Sequence, residues 1–299
     1  MPLFDAYRSE ACACRTVNEF NRLHIDYEAW LSPSEFEELA RGIHACAPTM
    51  PPASMIWARG LGELIARSGN PVRAWDRRPV YQDAVWYAPG DGAPPRRERT
   101  LVVCYTDFFG RLFMPIPAYL QHCPAPGHDY LVLRDRSRRY FVEGLADVAP
   151  TLTSALRAVL GAIDAHKFRR IQSVGASSGG FAALWSAVEF GFSSGVSLGG
   201  AAPSTLERSG LSADGFREAL RAHPVPPLAY YYSADYPTDR ANAAELAALM
   251  PVATVPIAGA SKHNLVFEIY QRGELVEFLA GVHAIPPRAT RYAAPDAAT

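Results

Sequence analysis

The residues best placed to do chemistry lie in the segment 170–185, RIQSVGASSGGFAALW. A short strand-like stretch runs into a turn of small residues carrying Ser177, and an apolar helical pattern follows at once. A side chain on a tight strand-to-helix bend cannot pack inward, so one hydroxyl is pushed out of the fold. The flanking glycines remove Cβ atoms where strand and helix backbones must approach closely. This G-x-S-x-G pattern implies a serine nucleophile for acyl transfer. The duller reading is a glycine-rich turn whose serines cap the next helix, a role Ser178 could fill. A frame starting at Ala176 would expose Ser178 instead, but Gly175 and Gly179 bracket Ser177 better.

A serine hydroxyl is a weak nucleophile until a base takes its proton, and the base needs a third group to fix its tautomer. In a sheet of parallel strands joined by helices, ligands collect beyond the carboxyl ends of the strands. A carboxylate and a histidine are therefore expected just after later strands. Asp235 follows the apolar run at 228–232 after two small residues, and His263 follows the run 252–257 across the flexible Gly259-Ala260-Ser261. Asp239 competes with Asp235. Because Asp239 immediately precedes the helical pattern beginning at Arg240, its economical role is that helix's N-cap, and Asp235 is the expected acid. The other histidines suit the base poorly. His122 and His128 precede a strand, His166 closes a helix, and His223 lies in a connection.

The elements that must carry these residues begin at Thr100. Strand-like runs at 101–105, 130–133, 171–174, 195–198, 228–232 and 252–257 alternate with helical patterns at 117–122, 149–166, 181–190, 240–250 and 264–280. That alternation predicts a mostly parallel sheet covered by helices on both faces. Before it, 33–45 and 53–67 read as helices and 84–87 as an edge strand. Residues 1–95 are thus expected to form an N-terminal helical extension packed on a catalytic domain at 96–285. The Pro/Ala-rich segment 286–299 reads as a disordered tail.

With the elbow GASSGG, an acid after a later strand and a histidine before the last helix, in that order, residues 100–282 resemble the α/β-hydrolase superfamily. The resemblance implies an eight-stranded, mainly parallel sheet and acyl chemistry at the serine. It also implies an oxyanion hole of two backbone amides, one from Ser178 and one from the loop after an earlier strand, with Thr106 or Asp107 expected there. The expected activity is hydrolysis of a carboxylic ester or thioester. Acyl transfer or thioester cleavage on a carrier-bound acyl group is the alternative within this chemistry, and an inactive binding module is the alternative outside it.

Substrate signals are thinner. Phe108 and Phe109 could line an acyl pocket, although core packing explains such residues equally well. Arg134, Arg136, Arg138 and Arg139 cluster after a strand, where Arg136 in particular could meet a carboxylate or phosphate. A solvated loop with Arg–Asp pairing is the alternative.

The bulk numbers exclude other classes. A net charge of -1 supplies no field for nucleic acid or an anionic membrane. No apolar run approaches the roughly 18 residues of a membrane span, and the first residues are too charged for a signal peptide. Five cysteines are an odd number for a disulfide framework, which favours a reduced, cytoplasmic setting. No metal-ligand spacing is present and the chemistry requires no cofactor. The expected partner is a small-molecule or carrier-bound acyl substrate.

Overall fold

In the computed structural model, which describes residues 3–284, four helices come first: α1 (Leu3–Ala13), α2 (Val17–Glu28), α3 (Pro33–Ala45) and α4 (Pro52–Ala66). Thr16 and Ser32 start α2 and α3 through reciprocal capping boxes with Glu19 and Glu35, which satisfy amides that helix ends leave unpaired. There follow β1 (Trp75–Tyr81), β2 (Ala84–Pro89), β3 (Thr100–Tyr105), α5 (Ile116–His122), β4 (His128–Leu133), α6 (Leu152–Ala162), β5 (Arg170–Ala176) and α7 (Ser178–Glu189). The chain then forms β6 (Ser194–Leu198), α8 (Pro203–Arg208), α9 (Asp214–Ala222), β7 (Leu228–Ser233) and α10 (Pro237–Leu249). It closes with β8 (Ala253–Ile257), α11 (Leu265–Gln271) and α12 (Leu275–His283).

The eight strands make one sheet in the order β1-β2-β4-β3-β5-β6-β7-β8. The β1–β2 and β2–β4 pairs are antiparallel and the rest are parallel. The expected mostly parallel sheet flanked by helices is therefore present. Period-two alternation divides its side chains between two cores. From β3, Val102 and Cys104 enter one cluster with residues of α1–α5, α11 and α12. Leu101, Val103 and Tyr105 enter the other, with residues of α6, α7, α9 and α10. Each large apolar side chain so buried contributes about 1.5–3 kcal/mol.

The expected helical extension at 1–95 needs correction. Its helical part ends with α4, and residues 75–89 supply the first two strands of the common sheet. The helices themselves cover one sheet face together with α5, α11 and α12. The expected helix at 264–280 is two helices, broken where Gly273 takes a positive φ of 78°. The expected tail at 286–299 lies outside the described residues. All five cysteines are free, Cys104 and Cys123 being buried. No helix among the described residues is long and apolar enough to cross a membrane.

Three histidines, His24, His122 and His283, are buried against the first core. Desolvation pushes His24 down to about 4 and His283 down to about 3. Both stay neutral in the fold while the unfolded chain takes up protons below about pH 6.5, so their burial stabilises less as pH falls through that range. Asp129, raised to about 6 by burial despite its Arg99 partner, acts in the opposite sense between about pH 6 and 4. We expect the denaturant midpoint to drop between about pH 7.5 and 5.5, with His283 alone contributing at most about 1.4 kcal/mol per pH unit. His283→Gln should flatten that dependence; an equally steep curve in the variant would refute the assignment.

Candidate active site

Ser177 sits between β5 and α7 with φ 50° and ψ -116°, a backbone region that side-chain-bearing residues seldom occupy. The turn is held from both sides. The Ser177 N–H donates to the Leu198 carbonyl at 2.9 Å, and the Gly180 N–H donates to the Ser177 carbonyl at 3.0 Å. A Cβ on Gly175 would stand 2.1 Å from the Gly179 oxygen, and one on Gly179 would stand 2.2 Å from the Tyr105 oxygen. Only glycine lets the start of α7 lie this close to β5 and β3. Ser178 is the first residue of α7, and its side chain is buried.

The other two members come from the ends of later elements. Ser233, the last residue of β7, donates its hydroxyl to the Lys262 carbonyl at 2.5 Å, while the Ser261 and Lys262 amides donate to the Glu268 carboxylate. The loop carrying His263 is thereby fixed to the sheet and to α11. The imidazole lies 5.2 Å, centroid to centroid, from Phe113 and 5.6 Å from Tyr236. Its Nε2 is 2.8 Å from Ser177 Oγ and its Nδ1 is 2.9 Å from Asp239 Oδ1. With Nδ1 protonated, His263 donates to Asp239 and accepts from Ser177.

The acid in contact is Asp239, and the expectation of Asp235 is corrected. Asp235 is exposed, and its backbone N–H is tied to the Ala260 carbonyl at 3.0 Å. Asp239 is fully buried. The reason is the start of α10. Pro237 opens the helix, Tyr236 is its N-cap without a side-chain cap bond, and Asp239 falls in the first turn. The positive end of the helix dipole favours a carboxylate there. Asp239 Oδ2 has no hydrogen-bond partner among the described residues, and a Cβ on Gly199 would approach it to 3.3 Å.

Strand order, the elbow at the carboxyl end of a central strand and the residues gathered at that edge point to one architecture. The chain has the α/β-hydrolase fold.

In an α/β-hydrolase fold the loop after β3 faces the elbow, and here that loop differs from expectation. Thr106 N–H continues the ladder to the Leu133 carbonyl at 3.1 Å, and Asp107 N–H donates to the Arg111 carbonyl at 2.7 Å. Neither amide is available to an oxyanion, so both assignments are corrected. The buried Asp107 carboxylate instead gathers the loop, accepting from Phe109 N at 2.8 Å and Arg111 N at 3.0 Å. Burial raises its pKa, and the backbone hydrogen bonds of Arg111 and Phe109 oppose that rise. Among the described residues, the Phe108 and Ser178 amides have no acceptor.

Two clefts flank the loop, and both have walls from the N-terminal helices. One, of about 490 Å³, is lined by Leu61 and Leu64 of α4, Phe113, Met114, Phe267 and Asn264, the neighbour of His263. Its charged wall is an ion pair of Arg111 with Glu28 at 2.5 Å, and Glu28 also accepts from Trp57 Nε1 at 2.8 Å. The other, of about 390 Å³, is lined by Phe108, Phe109, α2 and the segment after β4. Phe108 and Phe109 line this second cleft, with Phe109 57% exposed. Arg136 also lines it, but is drawn to the buried Asp83 at 2.6 Å. No group of side chains suited to a metal ion occurs among the described residues.

No protein-family model matches the chain, and no curated protein matches it in sequence. Similar solved structures include the fluorophosphonate-binding serine hydrolase FphF of Staphylococcus aureus, at 11% identity and a TM-score of 0.48, over 70% of this chain and 99% of that one. Esterase B of Lactobacillus rhamnosis is 12% identical with a TM-score of 0.44, over 85% of this chain and all of the other (100%). A capsule O-acetyltransferase of Neisseria meningitidis serogroup A is 11% identical with a TM-score of 0.45, over 70% and 97% of the two chains.

Proposed function

We propose that this chain is a serine hydrolase that cleaves a carboxylic ester or thioester through an acyl-enzyme. The observation carrying this reading is the unbroken hydrogen-bonded series from Ser177 Oγ through His263 to the buried Asp239. His263 Nε2 takes the hydroxyl proton as Oγ attacks the carbonyl carbon. Asp239 keeps the Nδ1–H tautomer and stabilises the imidazolium. The tetrahedral oxyanion accepts hydrogen bonds from the Ser178 amide, at the positive end of α7, and from the Phe108 amide. Each such donor lowers the barrier by about 3 kcal/mol. The imidazolium then protonates the departing alcohol or thiol, leaving the acyl group on Oγ. Water enters, gives its proton to His263, and releases the acid with Ser177 restored.

The cleft beside Phe113 and Asn264 is the proposed seat of the acyl chain. It is apolar along α4, and one of its walls is Phe113, whose ring centroid is 5.2 Å from that of His263, so a chain of several carbons leaves water as it enters. The test is a series of p-nitrophenyl acyl esters of graded length, with thioesters of the same acids alongside. We expect hydrolysis by the intact chain, with kcat/KM rising by up to about threefold per added methylene until the cleft is filled. A folded protein that hydrolyses none of them would leave a binding module as the reading.

A further inference from the structure

The arginine cluster after β4 does not behave as one group. Arg139 pairs with Glu143 at 3.0 Å and Arg136 with Asp83 at 2.6 Å, so these two follow the bland expectation of Arg–carboxylate pairing. Asp135, the acid within the cluster, is consumed by its own loop. It accepts from Ser137 Oγ at 2.5 Å, Arg139 N at 2.7 Å and Phe141 N at 2.8 Å.

Arg134 is different. Its side chain is only 12% exposed, yet among the described residues it makes no side-chain hydrogen bond. The nearest carboxylate oxygen is that of Asp26, 3.7 Å away on a side chain 58% exposed. Burial, and then the like charge of Arg136, pushes its pKa below the usual arginine range. A guanidinium withdrawn from water is costly unless its donors are used, and five donors in a fixed fork suit a planar or tetrahedral oxyanion. Arg138 joins it from the same segment, with its guanidinium 6.0 Å from the Phe109 ring centroid. Arg22 joins it from α2. Neither has a carboxylate partner within 4.0 Å among the described residues.

We infer that this cleft holds an anionic group of the substrate, a carboxylate or a phosphate, with Arg134 as its central donor and Arg22 and Arg138 at the rim. The inference rests on the hydrolase reading above and narrows its substrate class. The link between the two is Phe108, whose side chain lines the cleft and whose amide is the proposed oxyanion donor. An anion bound here belongs either to the leaving group, with the acyl chain in the apolar cleft, or to an acyl group that enters this cleft instead. The arrangement supplies an N-terminal helix with a function beyond packing: α2 walls the cleft opposite the segment after β4 and brings Arg22 to it.

The test compares matched thioesters at low salt. The butyryl thioesters of 4′-phosphopantetheine and of pantetheine differ in one phosphate on the thiol side. The glutaryl and butyryl thioesters of N-acetylcysteamine differ in carboxylate on the acyl side. We expect one anionic member to exceed its neutral partner about tenfold or more in kcat/KM, mostly through KM, and the advantage to shrink as salt is raised. Which pair shows the effect distinguishes a phosphate on the leaving-group side from a carboxylate on the acyl side. Arg134→Gln should reduce the anionic-to-neutral ratio about tenfold, and the exposed Arg138→Gln, which does not disturb the interior, should reduce it by about threefold. Turnover of the neutral thioesters without preference for either anion, or a preference that both variants retain, would overturn the inference and leave the hydrolase reading standing. Absence of turnover on all of them by folded protein would overturn both.

Discussion

Ser177→Ala is expected to lower kcat for ester hydrolysis by about 100,000-fold or more, while the fold survives. On the proposed mechanism the variant loses the one atom that bonds covalently to the acyl group, and no arrangement of His263 and the amides replaces it. Whatever rate remains comes from the amides and the clefts acting on water. The stability change should be small, because a single hydrogen bond to His263 contributes about 1 kcal/mol net. Alanine keeps the Cβ and meets the same positive φ, so the elbow is no more strained than before. Steady-state hydrolysis beside a denaturation curve checks both halves. Retention of more than about a tenth of wild-type activity would remove Ser177 from the mechanism, since alanine at a nucleophile position leaves far less.

Asp239→Asn carries the second large effect and separates two carboxylates four positions apart. The neutral amide can turn its NH2 toward Nδ1, which places the imidazole proton on Nε2, where it faces the serine and cannot accept from it. It also withdraws the charge that stabilises the imidazolium. Together these should reduce kcat by about 1,000- to 10,000-fold with little change in KM. Asp235→Asn, at an exposed position whose structural bond is through its backbone, should alter kcat by less than about twofold, as surface changes commonly do. Equal losses from both substitutions, or the larger loss at Asp235, would contradict the assignment.

The difference between those two residues shows what the sequence could carry. Chain order and the strand-then-loop rhythm located the elbow and His263, because each depends on local pattern. The acid depended on where α10 begins. Reading Asp239 as a cap placed that start at Arg240, whereas Pro237 was the available signal: proline fits the first helical position, which puts Asp239 inside the first turn. The loop after β3 was legible as a position but not as a set of free amides. Whether Thr106 donates to Leu133 or to a ligand is decided by one more rung of the β3–β4 ladder, and no residue type marks that rung.

The N-terminal part divides in the same way. The capping boxes at Thr16 and Ser32 stand in the sequence as T-x-x-E and S-x-x-E, so α2 was there to be found. Strand β1 was not. Its residues Asp76, Arg77, Arg78 and Pro79 suit a solvent-facing edge, and only Trp75 of that strand is buried. Arg134 illustrates a third limit. Four arginines within six positions suggest a charged loop, and only their burial and pairing in three dimensions separate Arg136 and Arg139, each in a close carboxylate pair, from the buried Arg134, whose nearest carboxylate oxygen is 3.7 Å away, and from Arg138, which has no carboxylate partner among the described residues.

The proposed chemistry requires one hydroxyl to be made nucleophilic at the strand-to-helix turn. Reaction of the intact chain with a fluorophosphonate, followed by peptide mass spectrometry, reads that property without choosing a substrate. A single adduct on Ser177, greatly slowed in Asp239→Asn and absent in Ser177→Ala, is the expected result. A folded protein that forms no adduct, or one that is labelled equally after Ser177 is replaced, would contradict it.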